Sequence, residues 1–220
     1  MEPGALTDTA PLRVLVLEVG PLAENTYIVG HPASGGAVVI DPGDEGEEIL
    51  RILRSESLTL EKILLTHGHF DHVGGVRFLK ERTGAIVHIH PGDVDLMRGA
   101  QRQGAMFGLG VPAPPPPDVL VEEGDTVTLA EQTFRVLHTP GHSPGHVTFV
   151  VGGMAFVGDL IFAGSIGRTD LPGGSHEALL RAVREKIFTL PGETILLPGH
   201  GPATTVEEEK RNNPFFSGEM

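Results

Sequence analysis

The stretch Lys62–Gly75, K-I-L-L-T-H-G-H-F-D-H-V-G-G, carries three histidines and an aspartate within six residues, directly after an apolar run. Ile63, Leu64 and Leu65 predict a buried strand that stops at Thr66. His67, His69, Asp71 and His72 then fall in the turn leaving that strand. Residues so close in sequence converge on one or two cations only if the backbone bends sharply, and Gly68, Gly74 and Gly75 supply places for that. Imidazole together with carboxylate suits zinc or iron better than calcium or magnesium. The plain alternative, a polar glycine-rich loop, is disfavoured because neighbouring histidines repel when charged and bring no turn propensity of their own.

One loop cannot supply every ligand, and three later places qualify. His142 follows the apolar run Phe134 to Leu137 in a Pro/Gly turn, H-T-P-G-H-S-P-G-H. Asp159 follows Met154 to Val157 in A-F-V-G-D, and His200 follows Ile195 to Leu197 in I-L-L-P-G-H-G-P. Each is a short β-like run, a Gly or Pro, then a ligand-type residue. Four strand ends of this kind would meet along one edge of a sheet, where α/β folds place their sites.

This ordered set resembles the metallo-β-lactamase superfamily, with T-H-G-H-F-D-H as the signature motif and His142, Asp159 and His200 as the later ligands. The resemblance spans nearly the whole chain. It implies that His67, His69 and His142 hold one metal, that Asp71, His72 and His200 hold the second, and that Asp159 bridges them. Two divalent cations are implied, zinc foremost, with iron or manganese as alternatives. Asp71 and Asp159 are the expected catalytic carboxylates. Flavodiiron-type relatives carry a glutamate at the place of His69, and the commonest zinc β-lactamases a cysteine at the place of Asp159. This chain has neither, which favours the hydrolase branch.

Composition constrains the reading without deciding it. A length of 220 residues fits one sizeable domain, 1–220. The balance of 16 basic against 29 acidic residues gives −13, which argues against a nucleic-acid partner. Zero cysteines exclude disulfides and thiolate ligands. Met1 to Pro11 has no basic cluster, and Leu12 to Val19 is interrupted by Arg13 and Glu18, so no signal peptide is expected. No apolar stretch approaches the roughly 20 residues needed to span a bilayer. The expectation is a cytoplasmic protein with no membrane partner; the oligomeric state is open.

Arg13 to Val19, Thr26 to Val29 and Ala37 to Ile40 predict a three-stranded meander, and Glu45 to Arg54 a helix with Ile49, Leu50, Ile52 and Leu53 on one side. Between them stands Asp41-Pro42-Gly43, either a turn or, as the resemblance implies, an aspartate supporting a metal-binding histidine from behind. Val73 to Arg82 predicts a helix and Ala85 to Ile89 a strand. His88 and His90 alternate as on a half-exposed strand, and His31, His138 and His176 are likewise read as structural. Gly99 to Pro117, ending in a proline run, predicts a semi-rigid connector between halves at roughly 1–111 and 118–212. Its apolar piece Met106 to Val111 either covers the pocket or packs on the core. Short β-runs then extend to Val157, Ser175 to Phe188 predicts an amphipathic helix, and Val206 to Asn212 a last short one. The expected fold is α/β, a four-layer αββα sandwich.

Divalent cations supply hydroxide near neutral pH, so thioesters, esters, lactones and amides all suit such a site. His146, four residues after His142, joins Asp41 as a candidate for fixing ligand orientation; either has a purely structural alternative. F-A-G-S-I-G-R-T-D-L-P-G-G, with P-G-H-G-P-A-T-T and N-N-P-F, is similar to the small bacterial glyoxalase II subgroup, the hydroxyacylglutathione hydrolases. That likeness implies a small-molecule thioester substrate and a carboxylate contact by Arg168, whose alternative is an ion pair with Asp170. Asp170 stands where larger glyoxalases have a tyrosine. Their C-terminal helical extension also has no counterpart before the sequence ends, soon after Pro214, which points to weaker or broader thioesterase action. Two other readings stay open: a persulfide dioxygenase with a single non-haem iron, and a metal-bearing binding protein without turnover.

Overall fold

A computed structural model describes residues 4–9 and 12–217. The N-terminal reading rests on Met1–Pro11, of which 1–3, 10 and 11 lie outside the described residues, while Gly4–Thr9 forms a strand that the sequence did not suggest. The first sheet runs β1 (Gly4–Thr9), β2 (Leu12–Val19), β3 (Glu24–His31), β4 (Gly36–Ile40), β5 (Thr59–Leu64), β6 (Ile86–Ile89) and β7 (Val119–Leu120), in that spatial order. The first four strands pair antiparallel as a meander; β4 to β7 are parallel, as strands joined by helical crossovers must be. Those crossovers carry α1 (Gly46–Ser55), α2 (Phe70–Val73), α3 (Val76–Thr83), α4 (Val94–Arg98) and α5 (Ala100–Met106).

The second sheet has β8 (Thr126–Leu129), β9 (Gln132–His138), β10 (Val147–Val151), β11 (Met154–Gly158), β14 (Ile195–Pro198) and β15 (Thr204–Thr205), ordered β15-β14-β11-β10-β9-β8. A small ribbon, β12 (Ile161–Phe162) and β13 (Ser165–Ile166), leads to α6 (His176–Ala182), which continues as a wider turn over Val183–Ile187. The last helix is α7 (Val206–Asn212).

Period-two alternation sends the two faces of each strand into different cores. In β4, Val38 and Ile40 face the second sheet, where they meet Phe134, Val136 and Phe149; Ala37 and Val39 face Ile49, Ile52 and Leu79 of α1 and α3. On the far side, Ala155, Val157 and Leu196 pack against Leu179, Val183 and Ile187. Three apolar interfaces in series make four layers, αββα, as expected.

Several boundaries differ from the sequence reading. The helix expected over Val73 to Arg82 is broken at Gly74-Gly75 into α2 and α3. The connector is helical over Ala100–Met106, and β7 beyond it still pairs with β6 of the first sheet. Leu109 and Val111 pack against the first helical core, while Met106 and Phe107 are exposed. Among the described residues no helix is long and apolar enough to cross a membrane.

Candidate metal centre

All seven ligand-type residues singled out in the sequence lie at one edge of the sandwich. His67 and His69 occupy the loop after β5, and Asp71 and His72 stand on the single turn α2, which the same loop starts. From the second sheet, His142 follows β9, Asp159 directly follows β11, and His200 follows β14. The two sheets are fastened here by the Val147 amide donating to the Thr66 carbonyl at 2.8 Å, and by the Asn25 amide donating to the Gly199 carbonyl at 2.7 Å. The Asn25 side chain also donates to the Pro198 and Gly201 carbonyls, and the Tyr27 hydroxyl to that of Pro198, which pins the turn carrying His200.

The seven side chains hold two adjacent groups, linked by a third that joins Asp41 to His67 and His72. His67, His69 and His142 present ring nitrogens within 4.8 Å of one another, and a carboxylate oxygen of Asp71 and ring nitrogens of His72 and His200 lie equally close together. His69 Nδ1 is 2.8 Å from His142 Nε2. Asp159 lies between the groups, 3.6 Å from His142 Nε2, 3.4 Å from His72 Nε2 and 3.7 Å from His200 Nε2. Asp71 reaches His200 Nε2 at 3.4 Å. His67 and His72 are fully buried, whereas the His200 side chain is 27% exposed, so the cluster opens on the His200 and Asp71 side. Close approach at Gly199 is possible only without a side chain: a Cβ there would run into Asp159 and His72.

The donor set fits a cation on an observation independent of sequence. His67 Nε2, His72 Nε2 and Asp159 Oδ1 are buried without a hydrogen-bond partner, although the last two atoms are 3.4 Å apart. A buried polar atom left unpaired costs about 1–3 kcal/mol, so three together in one cluster point to cations as their missing partners.

Charge is organised to match. Desolvation and the surrounding imidazoles push His67 well below the usual histidine range, and His69 down to about 4, so both stay neutral donors. Burial also works against charge on His72 and His200, but the carboxylates outweigh it: Asp159 and Asp71 raise His72 well above its ordinary value, and Asp71 and Asp159 raise His200. Desolvation opposes ionisation of Asp159 and Asp71 as well, yet the charge of His72 beside them holds both carboxyls below the ordinary range.

Behind the cluster, Asp41 takes His72 Nδ1 at 3.1 Å through Oδ2, and Thr66 donates to it through both its amide and its hydroxyl. Asp41 sits at φ +48, a left-handed conformation that aspartate tolerates and that aims its carboxylate back at the strand end. His146 stacks on His67 with ring centroids 5.3 Å apart and meets Thr139 through Nδ1, but touches no ligand-type residue by hydrogen bond. His142 Nδ1 donates instead to the carbonyl of Arg168. The Arg168 side chain forms a two-pronged ion pair with Asp170, both contacts at 2.8 Å, and is more than half exposed.

Two acids escaped the sequence reading. Asp93, fully buried, accepts from the Gly68 amide at 2.9 Å, the Ser143 hydroxyl at 2.6 Å and the Gly145 amide at 2.6 Å, and so clamps the two histidine-bearing loops together. Glu24, also buried, lies 3.6 Å from His72 Nδ1 and receives the Thr26 hydroxyl. His31, His88, His90, His138 and His176 stay outside the cluster. His31 bonds Ser34 and Glu131, His88 the Ile86 carbonyl; His90 stacks on His138, and His176 meets the Phe215 ring.

The family model of the Metallo-beta-lactamase superfamily matches residues 19–200. The chain is 40% identical over 210 residues to the hydroxyacylglutathione hydrolase GloC of Haemophilus influenzae, covering 94% of this chain and 99% of that one. It is 38% identical over 206 residues to the probable metallo-hydrolase YqgX of Bacillus subtilis, covering 92% and 96%. Among solved structures, TTHA1623 in a di-iron-bound form superposes with a TM-score of 0.84 at 46% identity, covering 91% of this chain and 98% of that one.

Proposed function

The chain belongs to the metallo-beta-lactamase superfamily, and from that premise we propose that it is a binuclear metal-dependent hydrolase of thioesters, acting on an S-(hydroxyacyl)glutathione or a related thiol conjugate. The observation that carries the proposal is the meeting of seven side chains from both sheets around three buried, unpaired polar atoms. His67, His69 and His142 would hold one divalent cation; Asp71, His72 and His200 the other, with Asp159 shared. Zinc is foremost, and the di-iron form of TTHA1623 makes iron the next candidate.

Bound there, the cations supply a hydroxide near neutral pH and a Lewis acid for the carbonyl oxygen. The protein's own part is to hold the ligands ready. Asp41 fixes the His72 ring, and the Arg168 carbonyl fixes that of His142, so each presents its other nitrogen to the cluster. Asp159, kept ionised, stands between the groups, and Asp71 offers a carboxylate oxygen at the open side to orient an attacking water. The name of GloC supports the thioester substrate. Arg168 would have to leave Asp170 to grip a glutathione carboxylate; both partners are exposed, so that exchange costs little.

A second reading, a persulfide dioxygenase with one non-haem iron, is favoured by the His67, His69 and His142 group beside the Asp159 carboxylate, an imidazole and carboxylate set suited to iron. One panel separates the two. Protein purified without added metal is analysed for metals and assayed on S-D-lactoylglutathione and on glutathione persulfide. Two metals per chain with thioester turnover is expected; one iron with oxygen uptake on the persulfide would replace the hydrolase reading.

A further inference from the structure

Beside the cluster lies a cavity of about 110 Å³, walled by the β2–β3 turn, the β4–α1 turn, α2 and the segment after α5. We propose that this cavity is the acyl pocket of the enzyme and that it selects a short, uncharged aliphatic acyl chain, an inference that rests on the thioesterase reading above.

Position, size and chemistry agree. Asp71 belongs both to the cavity wall and to the ligand cluster, so a chain attached to a carbonyl held at the cluster enters directly. The loop carrying Arg168 joins the cluster from the other end, through His142. A thioester carbonyl at the centre therefore sends its two substituents opposite ways. An apolar cavity of about 150 Å³ takes up benzene, so this smaller one suits a chain of about three to five carbons and is far too small for a tripeptide thiol. The acyl group is the substituent that fits.

Leu22, Phe70, Leu109, Val111 and Pro112 are among its apolar lining residues, and Phe107 stacks on Phe70 at 5.2 Å. Its charged lining residues are Asp44 and Asp71; no lysine, arginine or histidine lines it among the described residues. A terminal carboxylate on the acyl chain would meet Asp44, which is not a metal-ligand candidate, with no lysine, arginine or histidine in the wall to offset it, and this disfavours dicarboxylic half-thioesters such as succinyl.

The test uses metal-loaded protein and thioesters of one thiol carrying acetyl, propionyl, butyryl, octanoyl or succinyl groups. kcat/KM should rise about tenfold or more from acetyl to butyryl, fall again at octanoyl, and be at least about tenfold lower for succinyl than for butyryl. Leu109→Trp fills the cavity, and Leu22→Trp does so from an exposed turn where folding is not at stake. In both, the ratio of butyryl to acetyl turnover should drop to about one. A flat acyl profile, or a ratio untouched by both variants, overturns the pocket. Binding of butyramide, followed by saturation-transfer NMR, needs no turnover. Protein that hydrolyses no thioester but binds butyramide, and loses that binding in Leu109→Trp, keeps the pocket and removes the thioesterase reading. Protein that turns thioesters over yet never binds butyramide, or that does neither, overturns the pocket.

Discussion

His67 and His72 lie with ring centroids 4.1 Å apart, yet their surroundings drive them in opposite directions, one toward neutrality and the other toward charge. A histidine ligates only when neutral, so a cation competes with a proton, and a ring with a raised pKa gives up its metal at higher pH. His67 is pushed well down and His69 to about 4, whereas His72 and His200 are raised. The Asp71, His72 and His200 group should therefore empty first as pH falls, while the His67, His69 and His142 group still holds its ion. Stepwise dialysis of loaded protein from about pH 7.5 to about 4.5, with metals counted at each step, should pass through one ion per chain. Anomalous scattering at that step should place the ion at His67, and finding it at His200 instead would refute the assignment of charge. All seven of these ligand-type residues were legible in the sequence because four crowd into one turn after an apolar run and the other three each follow an apolar run and a Gly or Pro. Asp93 and Glu24 were not. A lone acid carries no local signal, and their roles exist only because distant loops pack against them.

At the level of elements, most core strands and the longer amphipathic helices were readable from periodicity, whereas β1 and the two-residue strands β12, β13 and β15 were not. The pieces that fix the site were not. The sequence of α4 and α5 contains Gly99, Gly104 and a Gln-Arg-Gln run, and neither helix is long enough for a periodic face to emerge. The Gly74-Gly75 break follows from contact, not propensity, since a Cβ at Gly74 would run into the Gly43 carbonyl. The same crowding makes the β4–α1 turn a positioning device for α2. A Cβ at Gly43 would overlap the Asp71 carbonyl and press on Glu24, so Gly43→Ala must push α2 away. Overpacking of this kind costs about 1–3 kcal/mol. The variant should fold with a lowered urea midpoint and bind the second metal at least about tenfold more weakly, because Asp71 and His72 ride on that turn. Isothermal titration of metal into stripped protein measures the loss; two unchanged binding events would show that the turn yields without moving α2.

At the scale of the whole molecule, the cluster joins by charge two sheets whose shared interior is built from apolar side chains. Four of the seven ligand-type residues come from the first sheet and its loop, three from the second. Without cations, Asp159 Oδ1 and the two histidine nitrogens stay unpaired across that joint, so metal binding should stabilise the docking of one sheet on the other and not only the loops. A ligand present at about 100 times its dissociation constant adds about 2.7 kcal/mol per site, and two sites about 5 kcal/mol. For a chain of this size each kcal/mol moves the melting point by about 2–4 °C, so chelation should lower Tm by about 10–20 °C. The melt should remain one cooperative transition, since the apolar interface between the sheets is untouched, and added zinc should restore it. Calorimetry of stripped and reloaded protein decides the matter. A Tm that ignores chelation while metal analysis shows both ions gone would mean that packing alone sets the approach of the sheets, with the ligands merely carried along.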